Sequence, residues 1–116
     1  MTTIDWDTVT EFRRDLKKLG KYRHLEDDLK VIEKVLAVEP IGRDAIEIPR
    51  LGPLIARVFK MKKFHSQDFQ GRGCKSGFRL IYAYDASQDK IFFIEIYHKN
   101  QQENNDSERI KQYFKQ

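Results

Sequence analysis

Basic side chains gather in one part of the sequence, beside two apolar, β-branched runs. Arg79 opens the run Phe78-Arg-Leu-Ile-Tyr-Ala-Tyr84, while His98 and Lys99 follow the run Ile91-Phe-Phe-Ile-Glu-Ile-Tyr97. Upstream stands Arg57-Val-Phe-Lys-Met-Lys-Lys63, and Arg72 and Lys75 lie in the glycine-rich connection between. Residues 57–79 carry seven Lys and Arg against Asp68 alone, a surplus of six where the whole chain totals +4. The expected partner is anionic.

Cations at this density suit RNA phosphates, and a titratable group beside them suits cleavage. Attack by a 2′-hydroxyl needs a base to take its proton, cations to stabilise the pentavalent phosphate, and an acid for the leaving 5′-oxygen. His98 can fill either proton role near neutral pH. Lys60 and Arg79 are the candidate catalytic cations, with Arg57, Lys62, Lys63, Arg72, Lys75 and Lys99 as candidate RNA-binding residues. Each has a structural alternative: a lone histidine beside a strand is more often packed or exposed than catalytic, and lysines at strand ends are usually solvated. Tyr82, Tyr84, Phe92 and Phe93 could stack on bases, but aromatics in central strands are more often core. Cys74, despite basic neighbours, has no triad partner at a useful spacing.

These residues need a sheet to hold them. Residues 78–84 and 91–97 read as a β-hairpin joined by the polar stretch 85–90. Pairing Tyr84 with Ile91 would put Arg79 and His98 on one face, an arrangement that a one-residue slip would undo. Ahead of the hairpin, residues 2–6 read as a short first strand. Val9, Phe12, Leu16 and Leu19 make the stripe of an amphipathic helix that starts near Thr8. A second helix begins near Arg23, buries Leu25, Leu29, Ile32, Val35 and Leu36, and ends at Pro40. Residues 39–53 hold all three prolines and read as a loop, pinned by Ile46 and Ile48. A strand is expected over 55–64, and Asp106 or Ser107 should cap a last helix with Ile110, Tyr113 and Phe114 inward. The fold class is α+β, in the order β-α-α-β-β-β-α: a mostly antiparallel sheet with an N-terminal helical hairpin on one face.

At 116 residues the chain has room for one domain, spanning 1–116. No run approaches the roughly 18 apolar residues of a membrane span, and residues 1–7 lack the order of a signal peptide, so a cytoplasmic protein is expected. No His, Cys or carboxylate spacing resembles a metal site, and neither a metal nor another cofactor is expected.

The order of elements resembles the RelE/ParE superfamily of toxins from type II toxin–antitoxin modules. The resemblance rests on Phe12-Arg-Arg-Asp-Leu-Lys-Lys-Leu19, Arg57-Val-Phe-Lys-Met-Lys-Lys63, Ile94-Glu-Ile-Tyr-His-Lys99 and, most specifically, Lys75-Ser-Gly-Phe-Arg-Leu-Ile-Tyr82. It implies a small cytoplasmic toxin held inactive by a cognate antitoxin. In the RelE and HigB branches such a toxin enters the ribosome and cuts mRNA without metal; in the ParE branch it inhibits DNA gyrase. The mRNA endonuclease is the favoured reading, with gyrase inhibition or a non-catalytic RNA- or protein-binding domain as alternatives. By position the resemblance points to Lys60, Lys62, Arg79, His98 and Lys99. The tyrosine that some RelE-type toxins place in the C-terminal segment has no match between Glu103 and Ile110, and His98 would substitute for it.

Overall fold

Two apolar strands and a short polar turn form the centre of the sheet around which everything else packs. The computed structural model describes residues 4–42, 45–62, 65–69 and 76–116. In it, β1 (Asp5–Thr8) leads into α1 (Thr10–Lys18) and α2 (Leu25–Val38), followed by β2 (Ala45–Glu47), β3 (Arg57–Met61), a 3-10 turn (Gln67–Phe69), β4 (Phe78–Asp85), β5 (Lys90–His98) and α3 (Ser107–Phe114). The five strands form one sheet in the order β1-β5-β4-β3-β2, with β1 parallel to β5 and the other neighbours antiparallel.

The helical hairpin covers one face. Phe12 meets Phe93 at 5.6 Å, and the Tyr82 hydroxyl donates to Pro40 O at the end of α2 (3.0 Å). Glu11 in the first turn of α1 and Lys17 and Lys18 in its last complement the helix dipole. In α2 the buried stripe is Leu25, Leu29, Ile32 and Leu36. Val35 was expected on that stripe, but with Leu36 and Ile32 turned inward it falls outside, 51% exposed, alongside Val31 and Val38.

Residues 39–53 are not simply a loop. They contribute β2, which pairs with β3 through Ile46↔Lys60, adding a strand to the expected order. A three-residue edge strand is too short to show an alternating pattern. Ile46, expected to pin this segment, points outward at 56% exposure, while Ile48 packs against the core. β1 and β3 occupy shifted or shorter spans than 2–6 and 55–64, since Ile55 is instead bound to the C-terminal segment through its N–H to Phe114 O (2.8 Å). Residues 2, 3, 63 and 64 lie outside the described residues.

Asp106 caps α3 as expected, accepting from the Arg109 N–H (3.1 Å). Its Phe114 meets Phe92 (5.4 Å), which points away from Phe93 and the helical hairpin, so α3 packs against the second face.

Candidate functional site

A single extra residue decides what stands beside Arg79. At the turn end of the hairpin Tyr84 pairs with Ile91, the expected register, and Ala83 with Phe92 and Tyr82 with Phe93 follow. The register then shifts: Ile81 pairs with Glu95, Leu80 with Ile96, Arg79 with Tyr97 and Phe78 with His98. Ile94 is left over as a β-bulge and changes which side chains point which way along the rest of β5. Arg79 and His98, expected to share a face, therefore lie on opposite faces. Arg79 has Tyr97 as its cross-strand partner, and His98 faces the helical hairpin with Phe78.

The second face carries the cations. Lys60 lies across from Ile81, itself opposite Glu95, and Lys62 follows one step beyond the Met61↔Leu80 pair, in line with Arg79. Burial first, then the charges of Lys62 and Arg79, lowers the Lys60 ammonium pKa. Like charges held this close favour an anion that neutralises them. Arg79 is half-buried, its Nη1 donating to Phe78 O at 3.2 Å, and Lys62 and Lys99 are exposed. Tyr97, 4% exposed, has its phenol pKa raised by burial and then by the Glu95 charge, so it keeps its proton.

His98 is 1% exposed, stacked against Phe69 (5.3 Å) and Tyr22 (6.0 Å) with Phe78 edge-on (5.2 Å). Burial, then the Lys99, Arg79 and Lys21 charges, lowers its pKa against the opposing effect of its bond to Ser76 O. A proton on this ring has no path to a phosphate beside Arg79, and the expected pairing of His98 with the cation cluster does not form. Arg57 also stands apart: it pairs with Tyr84 at the turn end of the hairpin and is held by Glu47 (Nη2–Oε1 2.9 Å) over the Phe59 ring. Lys63, Arg72, Cys74 and Lys75 lie outside the described residues.

Glu95 was missed by the sequence reading, although a lone carboxylate inside an apolar strand is itself a signal. It is 2% exposed and accepts from Gln102 Nε2 (2.6 Å) and the Asp106 N–H (2.7 Å), which fastens the segment after β5 and the start of α3. Burial raises its pKa, against the lowering effect of those two hydrogen bonds. Asp15 and Arg109 were missed for lack of any local pattern. The Asp15 carboxylate accepts from Arg109 Nη1 (2.6 Å) and the Ile96 N–H (3.2 Å), and Arg109 also donates to Ile94 O (2.8 Å). Together they close the β5 edge beyond the end of β1.

A cleft of about 620 Å3 opens at that edge between Asp15, Lys18, Glu95, Tyr97, Gln102 and Arg109, but it does not reach Lys60 or Arg79. The cation cluster sits on sheet surface, a shape suited to an extended polymer. Among the described residues no group of His, Cys, Asp or Glu is arranged to hold a metal ion, and no helix is long and apolar enough to cross a membrane.

The same arrangement of strands and helices occurs in solved structures. An archaeal RelE–RelB complex from Pyrococcus horikoshii OT3 matches with a TM-score of 0.58 at 14% identity, covering 87% of this chain and 100% of that one. The chain has the RelE-like toxin fold. The toxin–antitoxin complex RelBE2 from Mycobacterium tuberculosis matches with a TM-score of 0.55 at 20% identity, over 84% of this chain and 93% of that one. A metal-bound toxin from Helicobacter pylori matches with a TM-score of 0.51 at 17% identity, over 84% and 97%. No family model and no curated protein sequence matches. Within this RelE-like fold, the cation cluster lies on the sheet face away from the helical hairpin.

Proposed function

We propose that this protein is the toxin of a toxin–antitoxin pair and that Lys60, Lys62, Arg79 and Lys99 bind mRNA on the ribosome for cleavage by its own 2′-hydroxyl. The observation that carries this reading is the crowding of Lys60, Lys62 and Arg79 on one sheet face. Arg79 and Lys60 would stabilise the charge on the pentavalent phosphate. Lys60, made a stronger acid by burial and its cationic neighbours, would protonate the leaving 5′-oxygen, while the 2′-hydroxyl proton would pass to solvent water, which returns a proton to Lys60. The Tyr97 hydroxyl beside Arg79 would orient the phosphate. Support for an antitoxin partner comes from the RelE–RelB and RelBE2 complexes that share the fold, and from the exposed valine stripe Val31, Val35 and Val38 on α2. Valine is a poor helix former, and three on an outward face suggest contact with another protein.

A second reading has its own support. Glu95 is committed to Gln102 and Asp106, and His98 is enclosed, which favours a surface that grips an anionic or protein target without cutting it. The experiment is expression with and without the neighbouring gene product, followed by mapping of mRNA ends. Growth arrest with cut mRNA, abolished by Arg79→Ala, supports the nuclease. Arrest with intact mRNA and altered plasmid supercoiling supports gyrase inhibition, and absence of arrest removes the toxin reading.

A further inference from the structure

We infer that His98 is a positioning residue: as a neutral imidazole it ties the backbone leading into Arg79 to the turn that carries Lys99, and it takes no part in proton transfer. The role assigned to its neighbours rests on the RNA-binding reading above, whereas the ring's protonation state does not.

The two ring nitrogens have different partners, and each partner admits only one proton arrangement. Nε2 lies 3.0 Å from Ser76 O, a carbonyl that can only accept, so Nε2 carries the hydrogen. Nδ1 lies 3.2 Å from the backbone N of Asn100, which can only donate, so Nδ1 carries none. An imidazolium would set N–H against N–H at Asn100. The same junction is reinforced by the Lys99 N–H to Gly77 O (2.9 Å) and the Gln101 N–H to His98 O (2.9 Å). Ser76 and Gly77 lead directly into Phe78 and Arg79, so one ring connects the start of β4 to the exit of β5.

Gly77 shows how closely the parts fit. Its φ is +91°, and a Cβ there would stand 2.6 Å from His98 Nε2, so the backbone passes over the ring where no side chain has room. Tyr22, Phe69 and Phe78 surround the rest of the ring. The charged groups around it favour neutrality. Lys21, from the connection between the helices, Arg79 on β4 and Lys99 in the ring's own turn are all cationic. Asp68, on the 3-10 turn with Phe69, is engaged by the backbone N–H (3.1 Å) and Nδ1 (3.2 Å) of His24.

The test combines ring-nitrogen NMR on the full-length protein with cleavage by variants in a ribosome and mRNA assay. The expected spectrum is an Nε2–H tautomer that does not titrate between about pH 8 and about pH 6, below which an ordinary histidine is mostly charged. An Nδ1–H tautomer, or an imidazolium near pH 7, overturns the proposal and needs no variant to fold. In the cleavage arm, His98→Gln can still donate to Ser76 O and should stay within about tenfold of wild type, with an unchanged pH profile and a larger loss in His98→Ala. A folded His98→Gln protein that loses on the order of 10²- to 10⁴-fold, together with one limb of the pH profile, would show acid–base catalysis instead. Wild-type protein that leaves mRNA intact defeats the nuclease reading; the Asn100 and Lys99 amide shifts on His98→Gln substitution then report the clamp, and unmoved shifts overturn it.

Discussion

Phe78 and Arg79 are neighbours in sequence, yet they belong to two different chemistries. Phe78 is fully buried among Tyr22, Phe69 and His98 beneath the helical hairpin, and Arg79 stands on the opposite face beside Tyr97 and the Lys60 and Lys62 cations. On the first face polarity is spent on fixing the backbone: the His98 nitrogens meet main-chain atoms and the ring itself is enclosed. On the second face Lys60, Lys62 and Arg79 repel one another, and the buried Glu95 carboxylate offsets only part of that at Lys60. A sheet can divide structural and ligand-binding work between its faces because alternate side chains point to opposite sides. The bulge at Ile94 determines which residues of β5 join which face.

The largest expected effect on the fold comes from emptying the buried side of the Phe78 and Arg79 pair. Phe78→Ala should cost about 3–5 kcal/mol in urea unfolding, since it empties a site at 0% exposure. The adjacent Arg79→Ala should shift the same curve by less than about 1 kcal/mol. Equal losses from both would mean that Arg79 is structural and would sink the binding role.

The pH dependence of stability sharpens the comparison further. Because the His98 pKa is lowered in the folded state, the unfolded chain takes up its proton first, and the histidine's contribution is present above about pH 6.5 and lost as pH falls. Glu95, raised by burial, acts with the opposite sign: its ionised form opposes folding, and protonation relieves that. Unfolding of wild type and His98→Gln from about pH 7.5 to about pH 5 isolates the histidine, since Glu95 is common to both. The variant should lose less stability on acidification, and parallel curves would contradict a neutral His98. The smallest effect on the fold belongs to Lys60→Ala, expected within about 0.5 kcal/mol. It should nevertheless reduce the salt dependence of binding to single-stranded RNA by about 0.7 in the logarithmic slope, because one phosphate is no longer neutralised.

Several features were readable because they depend on near neighbours in the chain. The hairpin, its Tyr84↔Ile91 register, the amphipathic α1 stripe and the Asp106 cap all follow from residues within a few positions of one another. The cation surplus of residues 57–79 and the candidate status of Lys60 and Arg79 were likewise visible. The placing of Val35 and Ile46 was not: each is apolar, and only the angle at which its element packs turns it outward. β2 was hidden by its brevity, and Asp15–Arg109, 94 residues apart, leaves no local trace.

The sequence by itself determined that two strands would pair, that helices would cover one side, and that cations would collect near Arg79, since hydrophobic periodicity and charge density are written along the chain. Only the tertiary structure decided that Tyr97 rather than His98 stands across from Arg79. Pairing is a contest between whole strands: leaving Ile94 over at the bulge keeps Phe93, Ile96 and His98 packed under the helices and puts Glu95 where Gln102 and the Asp106 N–H can reach its carboxylate. That balance is struck among residues far apart in sequence, and side-chain alternation along one strand carries no record of it.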